Sequence, residues 1–282
     1  MKCQWTDLLN LLPGWLRQAV DEGGREDAQE IRLRINMQPE IVKGNGSVWL
    51  DGLISEDDIR FCLNTATRYS PWTSDTIVHG YITAPGGHRM GLCGQCVYDQ
   101  DKLKNVNYVT SVCIRVARDF PGVSGDIYKN HGSILIIGAP GSGKTTFIRD
   151  LIRNISDLGN SAVAVVDERR ELFPIQAGKY AFSCGKRTDI LSGCSKNKGI
   201  DMVLRTMGPD VIAMDEITEE ADCQALTGAA WCGVRLIATA HAGSKQDLLS
   251  RRIYRPIVDS KIFHTLITLQ SDKAWKEEAM PV

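Results

Sequence analysis

A glycine-rich run that ends in a lysine and two threonines carries the clearest chemistry in this sequence. Residues Gly138, Ala139, Pro140, Gly141, Ser142, Gly143, Lys144 and Thr145 fit the phosphate-binding pattern G-x-x-x-x-G-K-S/T at every specified position, and Thr146 follows. In such a loop, backbone N–H groups and a helix N-terminus surround the phosphates of a nucleotide. We expect Lys144 to reach the β- and γ-phosphates of ATP and the Thr145 hydroxyl to bind Mg²⁺. An ordinary glycine-rich turn before a helix is the alternative.

Carboxylates follow two apolar segments that have the composition of buried strands. Asp215 and Glu216 come directly after residues 211–214, and Asp167 and Glu168 come directly after residues 162–166. We expect Asp215 to hold Mg²⁺ and Glu216 to orient or deprotonate the attacking water. The second pair, including Glu168, could help to hold Mg²⁺ or the water. An acidic start of a helix is the alternative for both pairs.

A histidine and an arginine are candidates for contact with the γ-phosphate. His241 follows the apolar residues 236–240, at a strand end where its side chain could sense that phosphate. Arg115 alternates with Ile114 and Val116 and should project from the face opposite their apolar side chains. P-loop hydrolysis commonly needs such an extra cation, which a neighbouring subunit or domain can supply. A structural role for His241 and a surface salt bridge for Arg115 are the alternatives, with Arg89 the next arginine to test.

The spacing of apolar residues predicts two domains. In residues 1–125 we expect a helix over 8–20 interrupted at Pro13, a helix from Ser55 to about Tyr69, and strands within 30–35, 39–50, 81–98 and 107–117. Residues 126–282 alternate strand and helix, which predicts a mostly parallel sheet with functional residues at the carboxyl ends of its strands. The fold class is therefore α/β, a P-loop core preceded by a smaller α+β domain, with a poorly ordered tail from Gln270.

Composition limits the classes of function. The chain has 282 residues, 43% of them hydrophobic, with a net charge of -1, which argues against a protein that mainly coats nucleic acid. It has neither an apolar run near the roughly 18 residues of a membrane span nor a signal-peptide core, so we expect a cytoplasmic protein. Nine cysteines without a secretion signal indicate reduced thiols. Cys93 and Cys96 lack a second C-x-x-C to complete a zinc site.

The order of the motifs resembles that of the type II and type IV secretion ATPases. The phosphate loop, residues 166–172, 211–216 and 238–241 are similar to the loop, aspartate box, second acidic strand and histidine box of those enzymes. Four further segments resemble one branch, the stage III sporulation protein AA family: residues 30–34, 85–92, 187–191 and 208–212. The resemblance covers about residues 28–269.

The resemblance implies a RecA-like ATPase that uses ATP and Mg²⁺ and receives arginines from its N-terminal domain. It implies an oligomer, with a hexamer favoured, that acts in the mother cell at the membrane through integral membrane proteins of a sporulation channel. Many secretion ATPases carry glycine where this chain has Asp215, so the role of Asp215 is based on general P-loop chemistry. An ATP-binding scaffold that barely hydrolyses ATP and a nucleic-acid motor are the alternative functions.

Overall fold

The computed structural model describes residues 2–68, 80–99, 102–176 and 179–280. These residues form two compact units, the first made of Met1–Asp119 with Pro174–Ala181 and the second of Phe120–Phe173 with Phe182–Val282. The break at residues 119 and 120 lies close to the boundary that the sequence predicts at 125. The short segment Pro174–Ala181 belongs to the first unit although the sequence assigns it to the second domain.

The first unit contains an antiparallel sheet of six strands in the order β3-β2-β1-β6-β5-β4. The strands are β1 (Ala28–Arg34), β2 (Glu40–Lys43), β3 (Gly46–Trp49), β4 (Tyr81–Thr83), β5 (Arg89–Asp99) and β6 (Lys102–Arg115). In the segment 174–181, β9 (Ile175–Gln176) pairs antiparallel with β10 (Lys179–Tyr180). The predicted strands are all present, and β6 begins earlier than expected because it continues the long β5–β6 hairpin.

Three helices supply the core of this unit. They are α1 (Trp5–Asn10), α2 (Gly14–Gly24) and α3 (Glu56–Thr67). The predicted break at Pro13 separates the first two, and the Ser55 side chain accepts the N–H of Asp58 at the start of the third. Tyr69, the expected end of that helix, lies outside the described residues. Helix side chains such as Leu8, Leu16 and Ile59 pack with strand side chains such as Ile31 and Ile114 in one buried cluster.

The second unit contains a sheet of seven strands in the order β11-β8-β12-β13-β7-β14-β15. The strands are β7 (Ile134–Gly138), β8 (Val163–Asp167), β11 (Thr188–Ser192), β12 (Val211–Met214), β13 (Arg235–Ala240), β14 (Thr265–Leu269) and β15 (Trp275–Ala279). Every neighbouring pair is parallel except β14 with β15. The central strands β7, β8 and β12 are buried along their whole length, as expected for a parallel sheet covered on both faces.

Helices connect these strands and cover the sheet. They are α4 (Lys144–Asp157), α5 (Lys196–Thr206), α6 (Glu220–Trp231), α7 (Lys245–Ser250) and α8 (Arg255–Asp259). Alternate residues of β7, β8, β12 and β13, together with Leu266 of β14, form one face, which packs against Ile200 and Val203 of α5 and Cys223 and Leu226 of α6. This arrangement brings the carboxyl ends of the parallel strands, and the residues that follow them, to one edge of the sheet.

The predicted poorly ordered tail is wrong. Residues Trp275–Ala279 form β15, which pairs antiparallel with β14, and Trp275 lies in edge contact with Phe147 of α4 at 5.7 Å between ring centroids. Polar residues dominate β15 because it is an edge strand, so composition alone did not reveal it. In the described part of the chain, no helix is both long enough and apolar enough to cross a membrane.

Candidate functional site

The glycine-rich loop connects β7 to α4 with the backbone that a phosphate cradle requires. Gly141 and Gly143 have φ of +74° and +99°, a left-handed conformation that favours glycine. A Cβ on Gly138 would meet the Ser142 Oγ and would lie 3.0 Å from the backbone carbonyl oxygen of Leu269, so close packing favours glycine at this position. Gly143 is the N-cap of α4 and no side chain caps the helix, which leaves its first N–H groups directed into the loop.

The loop also holds a buried hydroxyl that fits a phosphate ligand. Ser142 is 3% exposed, and among the described residues its Oγ has no hydrogen-bond partner. A buried hydroxyl without a partner is costly, and a phosphate oxygen would supply the missing acceptor. The loop residues therefore fit the triphosphate of a nucleotide.

Lys144 is held inside the loop by three contacts. Its Nζ donates to the carbonyl oxygens of Gly138 at 2.8 Å and Ala139 at 3.0 Å, and lies 3.1 Å from His241 Nδ1. Lys144 is 7% exposed, and burial lowers the pKa of its ammonium while nearby Glu216 and Asp215 oppose that shift. To reach the phosphates of a nucleotide, the side chain would have to exchange these partners for phosphate oxygens.

His241 connects the loop lysine to Glu216. Its Nε2 lies 2.9 Å from Glu216 Oε1. An ammonium can only donate, so Nδ1 of His241 accepts from Lys144 and the hydrogen of the neutral ring sits on Nε2, which donates to Glu216. The backbone of His241 is fixed as well, since its N–H donates to the Tyr254 hydroxyl at 3.1 Å. The structure thus brings together three of the predicted site residues in one hydrogen-bonded chain.

Asp215 lies at the end of β12 and lines a cleft together with Thr145 and Glu216. Its Oδ1 accepts the hydroxyl of Thr239 at 3.1 Å. Burial, and secondarily the charges of Glu171 and Asp167, raise the pKa of Asp215 to about 6. A carboxylate that is costly to ionise without a cation, in the same cleft as Thr145, fits the one or two protein ligands that Mg²⁺ takes in nucleotide sites.

Asp215→Asn should raise the stability of the nucleotide-free, Mg²⁺-free protein at pH 7.5. A carboxyl whose folded pKa is raised stabilises the fold at low pH and loses that contribution as pH rises from about 4 to about 6. The amide avoids this cost and can still accept from Thr239. We expect a gain of about 1 kcal/mol, because Asp215 keeps some exposure, and a rise in Tm of about 2–4 °C.

Thermal unfolding of both proteins at pH 7.5 and pH 4 measures this effect. The difference in Tm should shrink at the lower pH, where the aspartate is protonated in the folded protein. Asp201→Asn is the matched control, because Asp201 forms an exposed pair with Arg205 and should leave Tm unchanged within error. A lower Tm for Asp215→Asn at pH 7.5 would contradict the assignment.

The second acidic pair divides into two roles. Asp167 is fully buried and accepts the N–H groups of Glu171, Leu172 and Phe173 at 2.9, 3.0 and 3.0 Å. Asp167 therefore holds the turn after β8 and is not available in this conformation as a metal ligand. The residues that follow it form a turn and not the helix start that was the alternative. Glu168 lines the same cleft as Thr145, Asp215 and Glu216.

The two N-terminal arginines lie in the sheet of the first unit. Arg115 at the end of β6 is exposed and forms an ion pair with Glu30 at 3.3 Å. This pair is the surface salt bridge named as the alternative, and a finger role for Arg115 stays a prediction. The Arg89 guanidinium lies over the ring of Tyr81, 3.8 Å from its centroid.

Two lysines contact this site without any motif that points to them. The Nζ of Lys196 forms an ion pair with the carboxylate of Glu168, and Lys196 lines the cleft. The Nζ of Lys273, in the turn between β14 and β15, donates to the carbonyl oxygen of Gly141 in the phosphate loop. Each lysine is far from its partners along the chain, so only the pairing of strands across the sheet could have revealed them.

The fold is similar to that of a solved ATPase and of a solved pilus retraction motor. The ATPase DotB of Legionella pneumophila superposes with a TM-score of 0.62 at 14% identity, covering 94% of this chain and 79% of that chain. The pilus retraction motor PilT, solved with bound ADP, superposes with a TM-score of 0.64 at 15% identity, covering 94% of this chain and 83% of that chain. At these identities the likeness shows the fold, which confirms the predicted RecA-like core with a β-rich N-terminal portion.

Sequence comparison identifies the family. The stage III sporulation protein AA of Bacillus subtilis (strain 168) is 31% identical over 281 residues, which span 95% of this chain and 91% of the relative. The family model described as sporulation stage III, protein AA matches residues 3–277. The resemblance drawn from the motifs is thereby confirmed, and this chain belongs to the sporulation stage III protein AA family.

Proposed function

We propose that this protein hydrolyses ATP in a secretion-like machine of sporulation. One observation carries the proposal: the glycine loop with Lys144, the cleft with Thr145 and Asp215, and the pair Glu216–His241 meet at the carboxyl ends of β7, β12 and β13. A nucleotide-binding loop by itself would need none of the acidic residues. The carboxylates next to the loop supply what hydrolysis requires.

Each residue has a defined task in this proposal. The backbone of residues 138–146 binds the phosphates, and Lys144 leaves the carbonyls of Gly138 and Ala139 to reach them. Glu216 accepts a proton from the attacking water, and His241 orients Glu216 through their 2.9 Å contact. Thr145 and Asp215 would hold Mg²⁺, which supplies charge neutralisation at the β- and γ-phosphates when bound.

The proposed setting of the reaction draws on the family and the fold. Membership of a stage III sporulation family and the likeness to secretion ATPases support a motor in the mother-cell cytoplasm. We infer that it drives assembly or transport through a channel between mother cell and forespore, by way of integral membrane partners. A homo-oligomer, with a hexamer favoured, would allow one subunit to complete the site of the next.

Phosphate release by the purified full chain tests the proposal. The expected result is ATP hydrolysis that depends on Mg²⁺, together with a higher mass by light scattering when ATP is present. Tight ATP binding with no phosphate release above the blank, with and without the membrane partner, would favour the scaffold. Hydrolysis stimulated by single-stranded DNA or RNA would favour a nucleic-acid motor.

Arg115→Ala tests whether the first unit supplies a cation to the reaction. If Arg115 stabilises the γ-phosphate charge in a neighbouring site, the variant should bind ATP within about threefold of the parent and turn over about 10²- to 10³-fold more slowly. Mixing Arg115→Ala with Lys144→Ala protein should then restore part of the activity. Arg60→Ala, which removes another exposed arginine of the first unit, is the control. Full activity in Arg115→Ala would remove this residue from the mechanism and leave Arg89 to test.

A further inference from the structure

Lys196 is a buried cation whose position the phosphate loop does not explain. It is the first residue of α5 and only 4% exposed. Burying an ammonium is costly unless its donors are bonded and its charge is compensated. The identity of its partners therefore shows what this lysine does.

The three donors of Lys196 reach two segments that follow neighbouring strands. Its Nζ lies 3.0 Å from Glu168 Oε2, in the segment after β8. It also lies 3.0 Å from Thr218 Oγ1 and 3.2 Å from Asp222 Oδ2, in the segment after β12. Strands β8 and β12 are adjacent and parallel, so one ammonium joins the two acidic strand ends.

The contacts with Thr218 and Asp222 fix the segment that carries Glu216. Asp222 is 1% exposed and accepts the N–H groups of Thr218 at 2.9 Å and Glu219 at 3.3 Å. On the other side of Thr218, the N–H of Ile217 donates to the carbonyl of Thr239 at 2.8 Å. The residues directly after Glu216 are therefore held by both the sheet and the Lys196–Asp222 pair.

The contact with Glu168 compensates charge in the cleft. Four carboxylates line it, those of Glu168, Glu171, Asp215 and Glu216. Like charges in one cleft repel, so without a cationic partner the Glu168 side chain would turn away from the other carboxylates. The 3.0 Å ion pair with Lys196 holds the Glu168 carboxylate in place, although 36% of its side chain is exposed.

We propose that Lys196 is a positioning residue of this site. Its ammonium fixes the Glu168 carboxylate relative to the segment that carries Glu216, so that both acids keep one geometry when ATP and Mg²⁺ occupy the cleft. The inference rests on the proposed hydrolysis of ATP. It adds a residue that acts through its bonds to Glu168, Thr218 and Asp222 and sets the geometry on which general-base catalysis depends.

Lys196→Met tests the proposal, with Lys198→Met as the matched control. Lys198 lies two residues further along α5 and is exposed. Because misplacement by about 1 Å can cost about 10²-fold in rate, we expect Lys196→Met to lower kcat about 10- to 100-fold. KM and the Kd for a fluorescent ATP analogue should stay within about threefold of the parent, because the phosphate loop is untouched. Lys198→Met should match the parent in every measurement.

Glu168→Gln provides a second test that leaves the buried Lys196–Asp222 pair intact. It should lower kcat about 3- to 10-fold by weakening the charge-assisted bond to Lys196. The double variant should turn over no more slowly than Lys196→Met alone, because Glu168 is already released in that protein. Rescue of kcat by Lys196→Arg, which keeps the charge, would give further support.

Several outcomes would overturn the inference. A parental kcat in Lys196→Met, a loss of nucleotide affinity that parallels the loss of kcat, or fully additive effects in the double variant would each do so. If Lys196→Met yields no folded protein, Glu168→Gln decides, and its turnover at the parental rate overturns the inference. A parent protein that releases no phosphate contradicts the proposed function itself, which separates that failure from a failure at Lys196.

Discussion

Lys144→Ala should lower the affinity for ATP with Mg²⁺ by at least about 100-fold and abolish measurable hydrolysis. Lys144 is 7% exposed, and its Nζ lies inside the loop at the carbonyl oxygens of Gly138 and Ala139, where its charge can reach the phosphates directly. Alanine leaves the charge of the β- and γ-phosphates uncompensated in a buried cradle. Titration of a fluorescent ATP analogue and phosphate release measure the two effects.

The same variant has a predictable effect on the empty protein. Lys144 is buried with a lowered pKa, so its removal should leave the fold close to parental stability by thermal unfolding. Lys198→Ala is the control for loss of one lysine, since that side chain is exposed on α5. ATP hydrolysis at the parental rate in Lys144→Ala would refute the assignment of the phosphate loop.

Glu216→Gln should separate binding from hydrolysis. The amide keeps the size of the side chain and can still accept the hydrogen on His241 Nε2, so the geometry of the site should persist. It cannot take a proton from water, and loss of a general base costs about 10²- to 10⁴-fold in rate. We therefore expect Kd for ATP within about threefold of the parent and kcat at least about 100-fold lower.

Glu220→Gln controls for the removal of an acidic residue in the same segment, because Glu220 is exposed in the first turn of α6. ATP should remain bound to the Glu216→Gln protein and be recovered unchanged after gel filtration, while the control converts it to ADP. Parental turnover in Glu216→Gln would assign the general base to another residue, with Glu168 the next to test.

The local patterns of the sequence determined a large part of this fold. Apolar β-branched runs predicted the core strands β8, β12 and β13, and the glycine loop predicted the junction between β7 and α4. Asp215, Glu216 and His241 could be placed because each lies within two residues of a strand end, and parallel strands bring their carboxyl ends to one edge. These features depend on residues that are neighbours in the chain, where periodicity and turn chemistry act.

The tertiary structure decided what depends on distant residues. Lys144 meets His241 across 97 positions, and Lys196 meets Asp222 across 26, separations that no periodic pattern records. Asp167 and Glu168 are adjacent acidic residues that the sequence does not distinguish. In the structure Asp167 accepts three backbone N–H groups, whereas Glu168 forms an ion pair with Lys196. The prediction of a poorly ordered tail from its polar composition was wrong because backbone hydrogen bonds to β14 hold this edge strand. Side-chain polarity does not reveal such bonds.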